Sequence, residues 1–162
     1  MLKKHVNKFY MNAFKDSTAS ISSNPNTKLG LYAKVKTRWG YEKYLNSSWS
    51  RKYITKFRLS DHFLPIERGR YHNPIIPRCE RLCPYCKLTV GDEIHAIMEC
   101  SAPVVLEINN SYIEHIISIS PDFQKISTND KFYYIMNAND SSLFNCVGEW
   151  FSKINQLYKN NC

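Results

Sequence analysis

The chain has 162 residues, of which 43% are hydrophobic and 14% aromatic, and it carries a formal net charge of +8. That length fits one domain with a modest core, and that apolar content excludes a polyelectrolyte too hydrophilic to fold. The longest apolar stretches, around residues 103–106 and 116–119, stop well short of the ~20 residues that cross a bilayer, so no membrane span is expected.

The charge is unevenly placed. Residues 28–87 carry 14 Lys and Arg against four acids, a net of +10, whereas residues 88–162 carry four against nine, a net of −5. A basic half of this kind attracts polyphosphate backbones by counterion release; the plainer alternative is a solvated surface that keeps the protein soluble. No apolar run follows Met1-Leu2-Lys3-Lys4-His5, so no secretory signal is read. The cysteines are therefore expected to be reduced and the setting intracellular, in nucleus or cytoplasm.

In chain order, Leu2, Val6, Phe9, Tyr10, Ala13 and Phe14 recur at helical spacing, and the Ser-, Asn- and Thr-rich stretch from residue 16 to 27 follows as a flexible linker. Residues 28–45 predict two short helices broken at Gly40. Ser48 or Ser50 then caps a basic amphipathic helix, with Tyr53, Ile54, Phe57 and Leu59 on one face and Arg51, Lys52, Lys56 and Arg58 on the other. Pro65, Gly69, Pro74 and Pro77 forbid a long helix between residues 61 and 82. Helices are predicted again over 103–119, closed by Pro121, over 128–137 with Thr128 as cap, and over 141–158. The expected fold is mainly α, a small helical domain with an embedded CCHC zinc knuckle and little or no sheet. Its parts are an N-terminal helix and linker (1–27), basic helices with the zinc-binding module (28–102), and a C-terminal helical segment packed on that module (103–162).

Chemistry concentrates at Cys83, Cys86, His95 and Cys100, spaced C-x2-C-x8-H-x4-C. Two thiolates separated by Pro84 and Tyr85 form a tight knuckle, and three thiolates with one imidazole fill a tetrahedral Zn2+ site without an open position. One structural zinc is the expected cofactor. Buried thiols beside a core histidine are the competing reading, and Cys79, four residues before Cys83, is an alternative ligand. Asp92 is a plausible cap for a short helix over 93–99. Residues five apart on an α-helix point about 140° from each other, so Cys100 is expected past that helix or in a loosened last turn. An acceptor for the second ring nitrogen of His95 is expected, without a residue that the sequence singles out. Cys146 falls on an apolar helix face and reads as core.

The run Lys56-Phe57-Arg58-Leu59-Ser60-Asp61-His62-Phe63-Leu64-Pro65-Ile66-Glu67-Arg68-Gly69-Arg70-Tyr71, then Arg78, Arg81, Cys83 and Cys86, then Gly91-Asp92-Glu93-Ile94-His95 and Cys100, resembles the zinc-binding segment associated with reverse transcriptases of non-LTR retrotransposons. The resemblance covers about residues 28–100. It implies an accessory module that holds template RNA or target DNA beside a polymerase, with the metal ligands at Cys83, Cys86, His95 and Cys100. The paired Asp-Asp of a polymerase active site is missing, and no phosphate-cradling loop or nucleophile elbow is present, so an enzyme is not expected.

Two functions compete, with a non-functional element remnant as a further alternative. The first is a non-enzymatic nucleic-acid-binding module that contacts RNA or DNA through Lys52, Lys56, Arg58, Arg68, Arg70, Arg78 and Arg81. The second is a protein-interaction domain in which zinc holds a scaffold and Trp150, Phe151 and Tyr158 of the C-terminal helices meet a partner.

Overall fold

The computed structural model describes residues 30–35, 48–138 and 140–161. The expected helix over 2–14, the linker over 16–27 and the break at Gly40 lie outside the described residues. Among those described the fold is mainly helical, without strand or sheet. Six α-helices follow in order: α1 (Gly30–Val35), α2 (Ser48–Arg58), α3 (Pro65–Arg68), α4 (Pro103–Ile119), α5 (Thr128–Met136) and α6 (Ser141–Lys159). No helix among the described residues is long and apolar enough to cross a membrane.

Helix α6 is the central element. Asp140 caps it by accepting from the N–H groups of Ser142 and Leu143, which satisfies two of the amides left free at a helix start. Leu143, Val147, Trp150, Phe151, Ile154 and Tyr158 recur every three or four residues and are all buried. Helices α2 and α4 pack against opposite parts of this stripe: Phe57 stacks on Phe151 at 4.4 Å, and Tyr112 stacks on Trp150 at 5.9 Å. The approach of α2 requires glycine at position 148, where a Cβ would stand 2.5 Å from the Cα of Ser50. Asn109 on α4 ties three parts together. It accepts from the Trp150 indole at 2.9 Å and donates to the Ala96 carbonyl at 3.1 Å, holding the turn over His95–Glu99 against α4 and α6.

Three local expectations are corrected. Arg58 is buried at 2% exposure and Leu59 stands out at 36%, the reverse of the predicted faces. The buried positions of α2 are Ser50, Ile54, Phe57 and Arg58, spaced i, i+4, i+7 and i+8, so the helical stripe sweeps in Arg58 and leaves the following residue outside. The cap of α5 is Ser127, not Thr128: its hydroxyl accepts from the Asp130 N–H while donating to the Asp130 carboxylate at 2.7 Å. Trp150, Phe151 and Tyr158 are at most 1% exposed and fill the core, so they present no surface to a partner.

Candidate metal centre

The first two ligands sit on a hairpin-like turn. A single antiparallel bridge joins Leu82 and Val90, the Cys83 N–H donates to the Thr89 carbonyl at 2.8 Å, and the Lys87 N–H closes back on the Cys83 carbonyl at 2.9 Å. Closing that turn places Lys87 in the left-handed region at φ 59°, where a side chain crowds its own backbone.

The other two ligands bracket a widened helical turn. Asp92 Oδ1 accepts from the His95 N–H at 3.0 Å, as an N-cap does, and the chain then adopts a π-helical turn over His95–Glu99. The Cys100 N–H reaches the carbonyl of His95, five residues back, at 2.8 Å. This i→i+5 winding swings Cys100 back towards the side of His95, which an α-helix would not do.

Four ligand atoms therefore converge: those of Cys83, Cys86, His95 and Cys100 all lie within 4.8 Å of one another. Cys83 Sγ and Cys100 Sγ are 3.8 Å apart, and Cys86 Sγ is 3.3 Å from His95 Nε2. A tetrahedron with its centre ~2.3 Å from sulfur and ~2.0 Å from nitrogen has edges of about 3.5–3.8 Å. The cluster can hold a metal ion. Cys79 is exposed and stands outside it, and Cys146 is buried on α6 as expected.

The surrounding groups orient the ligands. Thr89 Oγ1 is 2.9 Å from His95 Nδ1, so with Nδ1 protonated and donating to the hydroxyl, Nε2 presents its lone pair to the centre. The Tyr158 hydroxyl lies 3.2 Å from Cys83 Sγ and Tyr85 donates to the Leu157 carbonyl at 2.8 Å, which fastens the knuckle to the end of α6. Burial pushes the Cys100 thiol up to about 12, with the neighbouring Cys83 sulfur adding to the effect. At Cys86 burial also pushes upward, but the Leu88 and Thr89 backbone N–H groups and the other two sulfurs outweigh it and hold this thiol below its usual value. Burial lowers His95, which favours the neutral, metal-binding ring. A cation at the shared centre would offset the cost of gathering thiolates here.

The turn before the knuckle supports the same unit. His62 Nε2 is 2.9 Å from Glu93 Oε1, and Ser60 Oγ donates to that oxygen at 3.0 Å. Glu67 pairs with Arg70 at 2.8 Å. Arg81 crosses over Gly69 and donates to the Ile76 and Ile66 carbonyls at 2.9 and 2.7 Å; a Cβ on Gly69 would lie 2.6 Å from its side chain. Gly69 itself has φ −64°, so close approach rather than a positive φ explains it.

The proposed contact residues separate into two groups. Arg58 is buried and donates through Nη2 to the Met136 carbonyl, and Arg81 is 8% exposed and bound to backbone, so both are structural and leave the expected contact face. Their burial follows from side-chain length: the long guanidinium-bearing stems reach backbone carbonyls, that of Met136 from Arg58 and those of Ile66 and Ile76 from Arg81. Lys52, Arg68 and Arg78 are exposed, together with Arg51 and Lys87. Lys56 is partly buried beside Asp61 at 3.0 Å, Arg78 approaches Asp92 at 3.8 Å, and Arg70 is the Glu67 partner.

Sequence reasoning missed Thr89, Tyr158 and Glu93. Thr89 has a local signal, since it follows the knuckle closely enough to face back into it. Tyr158 has none, being 75 residues from Cys83. No protein-family model, no curated protein and no solved structure matches this chain.

Proposed function

We propose that this protein is a zinc-braced nucleic-acid-binding module without catalytic activity of its own. Three thiolates and one imidazole at tetrahedral spacing favour zinc, and a closed donor set suits a brace. The observation that carries the reading is the fastening of the basic segment to this site. Arg51, Lys52, Lys56, Arg68 and Arg78 are held on elements that the knuckle, the His62–Glu93 pair and α6 lock together. Such a surface meets phosphates through Lys and Arg side chains and reads sequence weakly. The order of residues from Lys56 to Cys100 supports an origin as the accessory segment of a retrotransposon reverse transcriptase.

Fluorescence anisotropy of the zinc-loaded chain with labelled RNA and DNA strands tests this. Affinity is expected to fall with salt, with a log–log slope of about −2 to −3 for three or four phosphate contacts. Salt-independent binding, or none, rejects the reading. The protein-interaction alternative loses support because the aromatic side chains proposed for it are core.

A further inference from the structure

A cleft of about 450 Å³ opens between the turn that follows α3 and the metal knuckle. Its size is that of a small ligand rather than of a packing defect. Phe63 and His72 line it, and Tyr71 stands at its edge with 71% of its surface in water. The His72 ring is fixed in place by Nδ1, 3.0 Å from the Pro74 carbonyl. Two cations flank Phe63: the guanidinium carbon of Arg68, which also lines the cleft, lies 5.6 Å from the ring centre, and Lys159 Nζ, outside the lining, lies 5.7 Å from it. Against them the lining offers one acid, Glu80.

A concave aromatic surface with a net positive rim suits a flat, apolar ring joined to an anion. We infer that this cleft takes one unpaired nucleobase of a single-stranded polynucleotide, stacked against Tyr71, while Arg68 and Lys159 meet the adjoining phosphates. A duplex keeps its base faces stacked internally and cannot offer one, whereas a single strand can. The inference rests on the nucleic-acid reading above and adds to it a preference for single strands.

The zinc-loaded full chain is titrated by anisotropy with a 12-nucleotide single strand, with a 12-unit abasic strand of equal phosphate count, and with the corresponding duplex. The intact strand is expected to bind about tenfold more tightly than the abasic one, which is the weight of one stacked base. Tyr71→Ala is expected to abolish that difference and leave abasic-strand affinity unchanged, and Tyr71→Trp to restore it. Zinc content and the unfolding midpoint of each variant check that the exposed substitution leaves the fold intact. Equal affinity for intact and abasic strands overturns the base site while leaving backbone binding standing. Equal competition by a Glu-rich 12-residue peptide overturns the choice of occupant. Failure of all three nucleic acids to bind overturns the base site and the function on which it rests.

Discussion

His62 Nε2 stands 2.9 Å from Glu93 Oε1, across 31 residues of chain, and joins the turn that ends α2 to the start of the turn that carries His95. The carboxylate is buried, and burial alone would raise it; hydrogen bonds from His62 and Ser60, with the charge of His62, outweigh that and hold it ionised. Removing Glu93 leaves His62 Nε2 and the Ser60 hydroxyl buried without their acceptor, whereas removing His62 leaves the carboxylate its bond from Ser60. Glu93→Ala is therefore expected to destabilise the zinc-loaded protein by about 2–4 kcal/mol. His62→Ala should cost less, and the double variant should fall short of the sum. Urea unfolding of the four proteins measures that coupling, and strict additivity would show that the pair does not act as a unit.

Metal removal tests the centre directly. Ligand convergence depends on the folded turn, so binding free energy is also folding free energy. A strong chelator is expected to lower the unfolding midpoint and to increase amide exchange first in residues 82–101. Cys83→Ser, Cys86→Ser and Cys100→Ser should each abolish stoichiometric zinc, whereas Cys79→Ser should leave it at one per chain, because Cys79 is exposed outside the cluster. Zinc content by a colorimetric release assay decides between them.

Tyr158 ends the core helix and places its hydroxyl 3.2 Å from Cys83 Sγ. Burial raises this phenol, so it stays protonated and would donate to the Cys83 sulfur as a thiolate once a metal is bound. Tyr158→Phe keeps the ring packed against Tyr85 and removes only the donor. Zinc affinity is expected to fall about tenfold, measured by competition with a chelator of known affinity. An unchanged affinity would mean that the hydroxyl contributes nothing to the site.

Helix positions, the knuckle turn and the clustering of three cysteines with one histidine were legible in the sequence because they are local. Period 3.6 marks α4, α5 and α6, and C-x2-C-x8-H-x4-C marks the centre. Even the loosened turn before Cys100 follows from geometry, since five residues do not return to one face of an α-helix. What was not legible is tertiary. Arg58 reads as surface by residue type, yet it lies on the stripe shared with Ile54 and Phe57, and its Met136 acceptor comes from a helix 78 residues further along the chain. Trp150, Phe151 and Tyr158 form an apolar face in any helical reading, but only the packing of α2 and α4 shows that the face is covered.

Lys87 closes the knuckle at φ 59° with an exposed side chain. Glycine adopts this conformation without the steric cost of a Cβ. Lys87→Gly is expected to stabilise the zinc-loaded form by about 0.5–1 kcal/mol while lowering polynucleotide affinity slightly through the lost charge. A lower unfolding midpoint in the variant would show that the lysine side chain holds the turn by contacts that outweigh its strain.

Arg58 and Lys52 lie six residues apart on α2 and separate stability from binding. Arg58 is enclosed and tied to the Met136 carbonyl, whereas Lys52 is exposed beside the shallow cleft that Arg51 and Lys56 also line. Arg58→Ala is expected to cost about 2–4 kcal/mol of stability through lost packing and an abandoned buried carbonyl. Lys52→Ala should leave stability within about 0.5 kcal/mol and reduce the salt slope of polynucleotide binding by about one contact. Denaturant midpoints and anisotropy at several salt concentrations read the two effects independently. If Lys52→Ala leaves the slope unchanged, α2 does not face the phosphates and the binding surface lies on the side of Arg68 and Arg78.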